Sequence, residues 1–110
     1  MYLYDAQRVN VLGEYGGIGL PIKDHLWKPD NNWGYVKFKN SKETTKQYIK
    51  YAEELKRLVK AGFSGAIYTQ TTDVEGEVNG FMTYDRKVDK MNVDDIRKVN
   101  LEVINVINNR

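Results

Sequence analysis

An acidic residue inside a glycine-rich stretch is the first candidate for chemistry in this chain. Residues 9–19 read VNVLGEYGGIG, a β-branched and aliphatic run followed by Gly13, Glu14, Tyr15 and three more glycines. This is how a buried parallel strand carries a carboxylate to an open strand end, where ligands bind in α/β folds. In a retaining glycosidase one such carboxylate attacks the anomeric carbon, while a second carboxyl about 5 Å away protonates the leaving oxygen. The plainer alternative is a solvated glutamate opening a turn. Spacing alone favours that plainer account, and the flanking glycines, which permit close backbone approach, add only slight weight to the functional one.

Other residues offer less. Asp73, Glu75 and Glu77 could bind sugar hydroxyls or a cation, but a solvated acidic loop is the simpler account. Their spacing and ligand number fall short of a calcium loop. Trp27 and Trp33 could stack on sugar faces or pin a long loop to the body of the fold, and the sequence favours neither. His25 is the sole histidine and cysteine is absent. Zinc and Ser–His–Asp chemistry therefore lack partners, and a hydrogen-bonded loop histidine is expected. Asp85 and Arg86 are expected to pair with a neighbouring loop. The Gly16–Gly19 run is too degenerate for a dinucleotide fingerprint, and no P-loop lysine follows it.

The elements that must position these residues follow from periodicity. A polar lead-in over 1–8 offers Tyr2, Leu3 and Tyr4 for packing, and 9–13 is the first strand. Residues 16–40 form a long irregular loop holding both prolines and both tryptophans. Loops of that length are commonly functional or mobile. Residues 40–61 form a helix, with Asn40 as cap and Glu43 reaching back to it. Tyr48, Ala52, Leu55 and Val59 make one apolar stripe, which Tyr51 and Leu58 widen. Gly62 ends the helix. Residues 63–69 form a second strand, and 70–91 a second long loop with a turn signal at Asn79-Gly80. A last helix covers 92–107, capped by Asn92, with Ile96, Val99, Val103 and Ile107 on one face. Its β-branched content leaves a strand over 101–107 as the alternative.

Strand, helix, strand, helix reads as α/β with a parallel pair. Parallel strands need neighbours on both edges and cover on both faces. Two strands cannot supply that, and long unpaired edges invite association. The chain is thus expected to be a piece of a larger barrel, or to complete its sheet by self-association through those edges. Its 110 residues allow one small domain. The formal charge of +2 comes from interspersed positive and negative residues. That pattern argues against nucleic acid as a partner. No apolar run approaches the roughly 20 residues needed to span a bilayer, so no membrane partner is expected. The N-terminus lacks the basic start and apolar core of a signal peptide, although a longer parent could carry one upstream. The compartment stays open.

Three strings carry a resemblance: VLGEYGGIG with HLW following, NWGYV before the long helix, and GAIYTQTTDVEGEVNGFMTYDR after it. Over about residues 9–100 they resemble the last quarter of a glycoside hydrolase family 2 catalytic barrel, the β-galactosidase and β-glucuronidase group. The resemblance implies a partial (β/α)₈ TIM barrel, with this chain as strands 7 and 8, helices 7 and 8 and long βα loops. It makes residues 1–110 a C-terminal fragment of a glycosidase acting on terminal β-glycosidic bonds, with a carbohydrate as substrate and Glu14 as nucleophile. It aligns Tyr68 with a sugar-contacting tryptophan of many members, a departure that leaves galactoside or glucuronide undecided. The family's acid/base glutamate has no counterpart here, so the fragment alone is expected to be inactive. Some members use magnesium or sodium, but no cage of ligands is visible, and no cofactor or metal is expected. Trp27, Trp33 and Asp73 join Tyr68 as candidate substrate contacts. The rival readings are a non-catalytic carbohydrate-binding barrel protein and a small α/β interaction module.

Overall fold

The computed structural model describes residues 7–109. Tyr2, Leu3 and Tyr4 lie outside the described residues. Strand β1 runs Asn10–Gly16. Two short strands follow, β2 at Ile18–Gly19 and β3 at Val36–Lys37. Helix α1 covers Ser41–Ala61, strand β4 Phe63–Thr69 and helix α2 Val93–Asn109. The chain is therefore a small α/β unit with two helices and short parallel strands.

Helix α1 starts because Asn40 accepts the Glu43 amide at 2.9 Å while Glu43 takes the Lys39 amide at 3.1 Å. The first bond satisfies a donor that the first turn would otherwise leave open, while Glu43 reaches one residue past the cap instead of to Asn40 itself, a variant of the reciprocal capping box. Its apolar stripe is buried at Tyr48, Ala52, Leu55 and Val59. Gly62 stops it at φ +123°, its amide turned back to the carbonyls of Leu58 and Val59. A residue with a Cβ is strained at that φ. Strand β4 starts at the next residue and lies parallel to β1, giving the tight βαβ unit that the spacing predicts.

Helix α2 forms in place of the alternative strand over 101–107. Asn92 caps it, accepting the Asp95 amide at 3.0 Å, and Asp94 and Asp95 sit in its first turn. Such a start favours helix where the β-branched residues alone would not decide. Ile96 and Val99 are buried and Val103 packs beside them; the side chain of Ile107 is outside the described set. The two helices run in the same direction. Thr45 Oγ1 accepts the Asn92 amide near their starts, Tyr48 donates to Asn100 Oδ1 at 2.6 Å, and Lys56 reaches Glu102 at 2.8 Å.

Both helices cover the same face of the β1–β4 pair. Ile18, Tyr48, Ala52, Met91, Ile96 and Val99 form the core there. Among the described residues no helix covers the opposite face. Val11 pairs with Gly65, and Ile67 lies two residues further on, so Val11 and Ile67 share that face, 50% and 59% exposed. Among the described residues each of these strands also keeps one unpaired edge.

Two expectations shift. The first strand was expected over 9–13 but continues to Gly16, so Glu14 lies within it and not beyond it. The loop over 16–40 also carries structure, because β2 and β3 pair in parallel and Trp33 bridges to Glu77 of the second loop. Glycines without hydrophobic periodicity gave no strand signal there. Backbone pairing between distant segments supplied the order instead.

Candidate active site at the strand ends

Glu14 owes its position to an irregularity. Leu12 pairs with Ala66 and Tyr15 with Tyr68, so Gly13 and Glu14 together face Ile67 alone. Such a bulge bends the strand and re-aims a side chain, and bulges recur beside active sites. A Cβ on Gly13 would meet nothing within 4 Å. Glu14 is exposed and borders a depression of about 250 Å³ between β1 and the flank of α1, which it shares with Tyr51 and Glu54.

The glycines that follow make room for rings. Gly16 has φ +108°, and a Cβ there would come within 2.6 Å of the Tyr68 ring. Gly17 has φ +69°, and a Cβ there would come within 2.6 Å of the Tyr35 ring. The Gly17 amide donates to Thr69 O at 2.9 Å, which ties the ends of the two strands together. Close approach, not phosphate binding, accounts for this glycine run.

Tyr68 is half-buried and belongs to an aromatic cluster. Its ring centroid lies 5.3 Å from Tyr15, 5.2 Å from Tyr48 and 5.2 Å from Phe81. Burial raises the phenols of Tyr15, Tyr48 and Tyr68, which keeps all three neutral. The buried Tyr68 hydroxyl and Gln70 Nε2 have no hydrogen-bond partner among the described residues. The peptide joining Thr69 to Gln70 is cis.

Asp73 sits inside the second loop and is buried. Its Oδ1 accepts from Lys90 Nζ at 2.6 Å and from the Gly80 amide at 2.9 Å, while Lys90 also donates to Val78 O at 3.1 Å. Side-chain exposures are 3% for Asp73 and 1% for Lys90. Burial pushes the carboxyl up and the ammonium down, and their contact opposes both shifts. Gly80 fits against the Asp73 amide and Thr72 with no space for a Cβ. Asp73 thus holds the loop together. The second carboxylate oxygen of Asp73, Oδ2, is buried and has no hydrogen-bond partner among the described residues.

His25 is the hydrogen-bonded loop histidine the sequence suggests. Its Nδ1 lies 2.7 Å from Asp85 Oδ2, while Asp85 Oδ1 accepts from the Thr83 hydroxyl and the Lys87 amide. The Thr83 hydroxyl, and then His25, hold the Asp85 carboxyl well below the usual carboxylate range. This contact ties the segment between β2 and β3 to the loop after β4. Trp27 closes the same junction, edge-on to Tyr84 at 5.5 Å.

Of the residues singled out in the sequence, Glu14 and Tyr68 lie on the ends of adjacent strands. Trp33 reaches that neighbourhood through Tyr35, which lies across Gly17. Trp27 stands at the loop junction and Asp73 within the loop. Sequence reasoning missed Tyr35 and Asn79. The signal for Tyr35 was the Trp-Gly-Tyr spacing, since a glycine between two rings lets the backbone pack closely. Asn79 is fully buried, and its Oδ1 accepts the Tyr35 amide at 3.2 Å. Nothing in the sequence separates it from an ordinary turn asparagine. Among the described residues no cluster of three His, Asp or Glu side chains could hold a metal ion, and no helix is long and apolar enough to cross a membrane. No protein-family model matches the chain, and no curated protein matches it significantly.

Proposed function

We propose that this chain is the closing segment of a (β/α)₈ barrel of a retaining glycosidase, contributing strands 7 and 8, helices 7 and 8, and the nucleophile Glu14. The observation that carries the reading is Glu14 in a bulge near the C-terminal end of a strand paired in parallel with its βαβ partner. Catalytic groups of such barrels come from the C-terminal strand ends. The resemblance of the VLGEYGGIG and GAIYTQTTDVEGEVNG strings to family 2 glycoside hydrolases supports the same assignment. So do the open sheet face and the two long loops that follow the strands.

In the proposed reaction a Glu14 carboxylate oxygen bonds to the anomeric carbon as the bond to the leaving oxygen breaks. A second carboxyl, supplied by another part of the parent protein, gives its proton to that oxygen. It then acts as base toward the water that cleaves the glycosyl ester. Glu14 is exposed and has no ion-pair partner among the described residues, so its carboxylate is accessible to a substrate. The test is mechanism-based labelling of the full-length parent with a fluoro-sugar, followed by peptide mapping. The expected adduct is on Glu14, and an adduct on any other residue overturns the assignment.

A further inference from the structure

Two rings near the strand ends differ from the rest of the aromatic residues. Trp33 and Tyr35 meet edge to face, with centroids 5.4 Å apart at 88°. They are 45% and 65% exposed, and neither belongs to the core. The backbone beneath them is nonetheless fastened closely. The Trp33 amide donates to Gly76 O and Trp33 O accepts from the Val78 amide, both at 2.7 Å. A Cβ on Gly34, the residue between the rings, would lie 2.8 Å from Asn79 Oδ1 and 3.1 Å from Gly19 Cα. Tyr35 lies against Gly17 near the base of its ring, and most of its side chain faces solvent.

Exposed rings gain little from burial, so holding two of them this firmly is not explained by packing. It is what a preformed binding surface requires, because rigidity removes the ordering cost of binding. Two perpendicular rings make a corner, in which one wall stacks on the flat face of a guest and the other borders its edge. A guest with an apolar C–H face and a polar rim fits it, which is the chemistry of a pyranose. Glu77 lies opposite Trp33 in the bridge between the loops, and Asn79 Nδ2 donates to its carboxylate at 3.4 Å. In the residues flanking the two rings, Asn32 Oδ1 accepts from the Lys37 ammonium at 2.7 Å. The segments that carry the corner thus supply both hydrogen-bond acceptors and donors.

Gly17, on which Tyr35 rests, is three residues beyond Glu14, a reach of at most about 10 Å along the chain. That is the length of one to two sugar rings. Resting on the glycosidase reading, we propose that Trp33 and Tyr35 form the wall that holds the leaving-group sugar, so that the protein selects β-linked disaccharides and longer glycans over simple glycosides.

The test titrates the 110-residue chain with lactose, cellobiose and methyl β-galactoside, followed by tryptophan fluorescence and saturation-transfer NMR. Saturable binding of at least one disaccharide, tighter than that of the methyl glycoside, is expected. Trp33→Ala and Tyr35→Ala should each weaken it about tenfold, while Trp33→Phe and Tyr35→Phe stay within about threefold. No saturation by either disaccharide up to about 50 mM, or alanine variants that bind as tightly as the parent chain, overturns the proposal. Fluoro-sugar labelling of the full-length parent reads the other half separately. Labelling at Glu14 with unaltered affinity in the alanine variants sinks the wall and spares the nucleophile. Ring-dependent binding with labelling elsewhere spares the wall and sinks the nucleophile.

Discussion

At the scale of single residues, the buried pair of Asp73 and Lys90 decides whether the loop after β4 has a structure at all. Removing one member of a buried ion pair leaves the other charge uncompensated, at a cost of about 3–5 kcal/mol. Asp73→Ala strands the Lys90 ammonium at 1% exposure and frees the Gly80 amide at the same time. We expect that variant to lose stability in this range in urea unfolding. The double variant Asp73→Ala/Lys90→Met should regain a good part of it, because the stranded charge is then gone. A double variant no more stable than Asp73→Ala would show that the pair is not what organises the loop. The same residue marks where reading a sequence stops. Asp73 in the run DVEGE looks like one solvated acid among several, since its partner lies seventeen positions away and only the folded loop brings them together. The place of Glu14 near the end of a strand was legible for the opposite reason: the apolar run before it and the glycines around it are adjacent in the chain.

At the scale of elements, helices and the long strands were readable because their signals are local. The Asn40–Glu43 box, the stripe from Tyr48 to Val59, the Gly62 stop and the Asn92 cap are each complete within a few residues. Strands β2 and β3 were not readable, because two residues of pairing leave no period to detect. Strand β4 carries one feature that neither pairing nor packing explains. Gly65 lies mid-strand and outside the positive-φ region, and a Cβ there meets nothing within 4 Å. Glycine at such a site raises the entropy of the unfolded chain with no structural return. Gly65→Ala should therefore stabilise the 110-residue chain by about 0.5–1 kcal/mol, read as a higher midpoint at unchanged slope in urea. A lower midpoint would mean that another group occupies that space in solution. On Gly16 and Gly17 the same change works in reverse, since a Cβ there runs into Tyr68 or Tyr35.

At the scale of the whole molecule, the shape is that of a slab. The radius of gyration is 15.1 Å and the principal extents are 47 × 27 × 19 Å. A compact domain of this length has a radius near 13 Å. The difference fits a two-stranded sheet covered on one face only. Val11 and Ile67 stand half or more exposed on the other, and among the described residues each strand has a neighbouring strand on one side only. Such edges are templates for further pairing, and apolar faces favour whatever covers them. If the sheet belongs inside a barrel, the isolated chain must either leave this surface wet or cover it with another copy. The second course buries apolar area at the entropic cost of association, and that balance improves with concentration. We therefore expect light scattering of the purified chain at high concentration to give a dimer or larger assembly, and a strictly monomeric mass would contradict the incomplete-sheet argument. The same assembly should not hydrolyse aryl β-glycosides. On the proposed reading each copy brings its own Glu14 nucleophile, but the proton donor belongs to strands that a second copy of this segment does not contain. Turnover that disappears in Glu14→Gln would show that a neighbouring carboxyl, with Glu54 in the same depression the first to replace, supplies the proton after all.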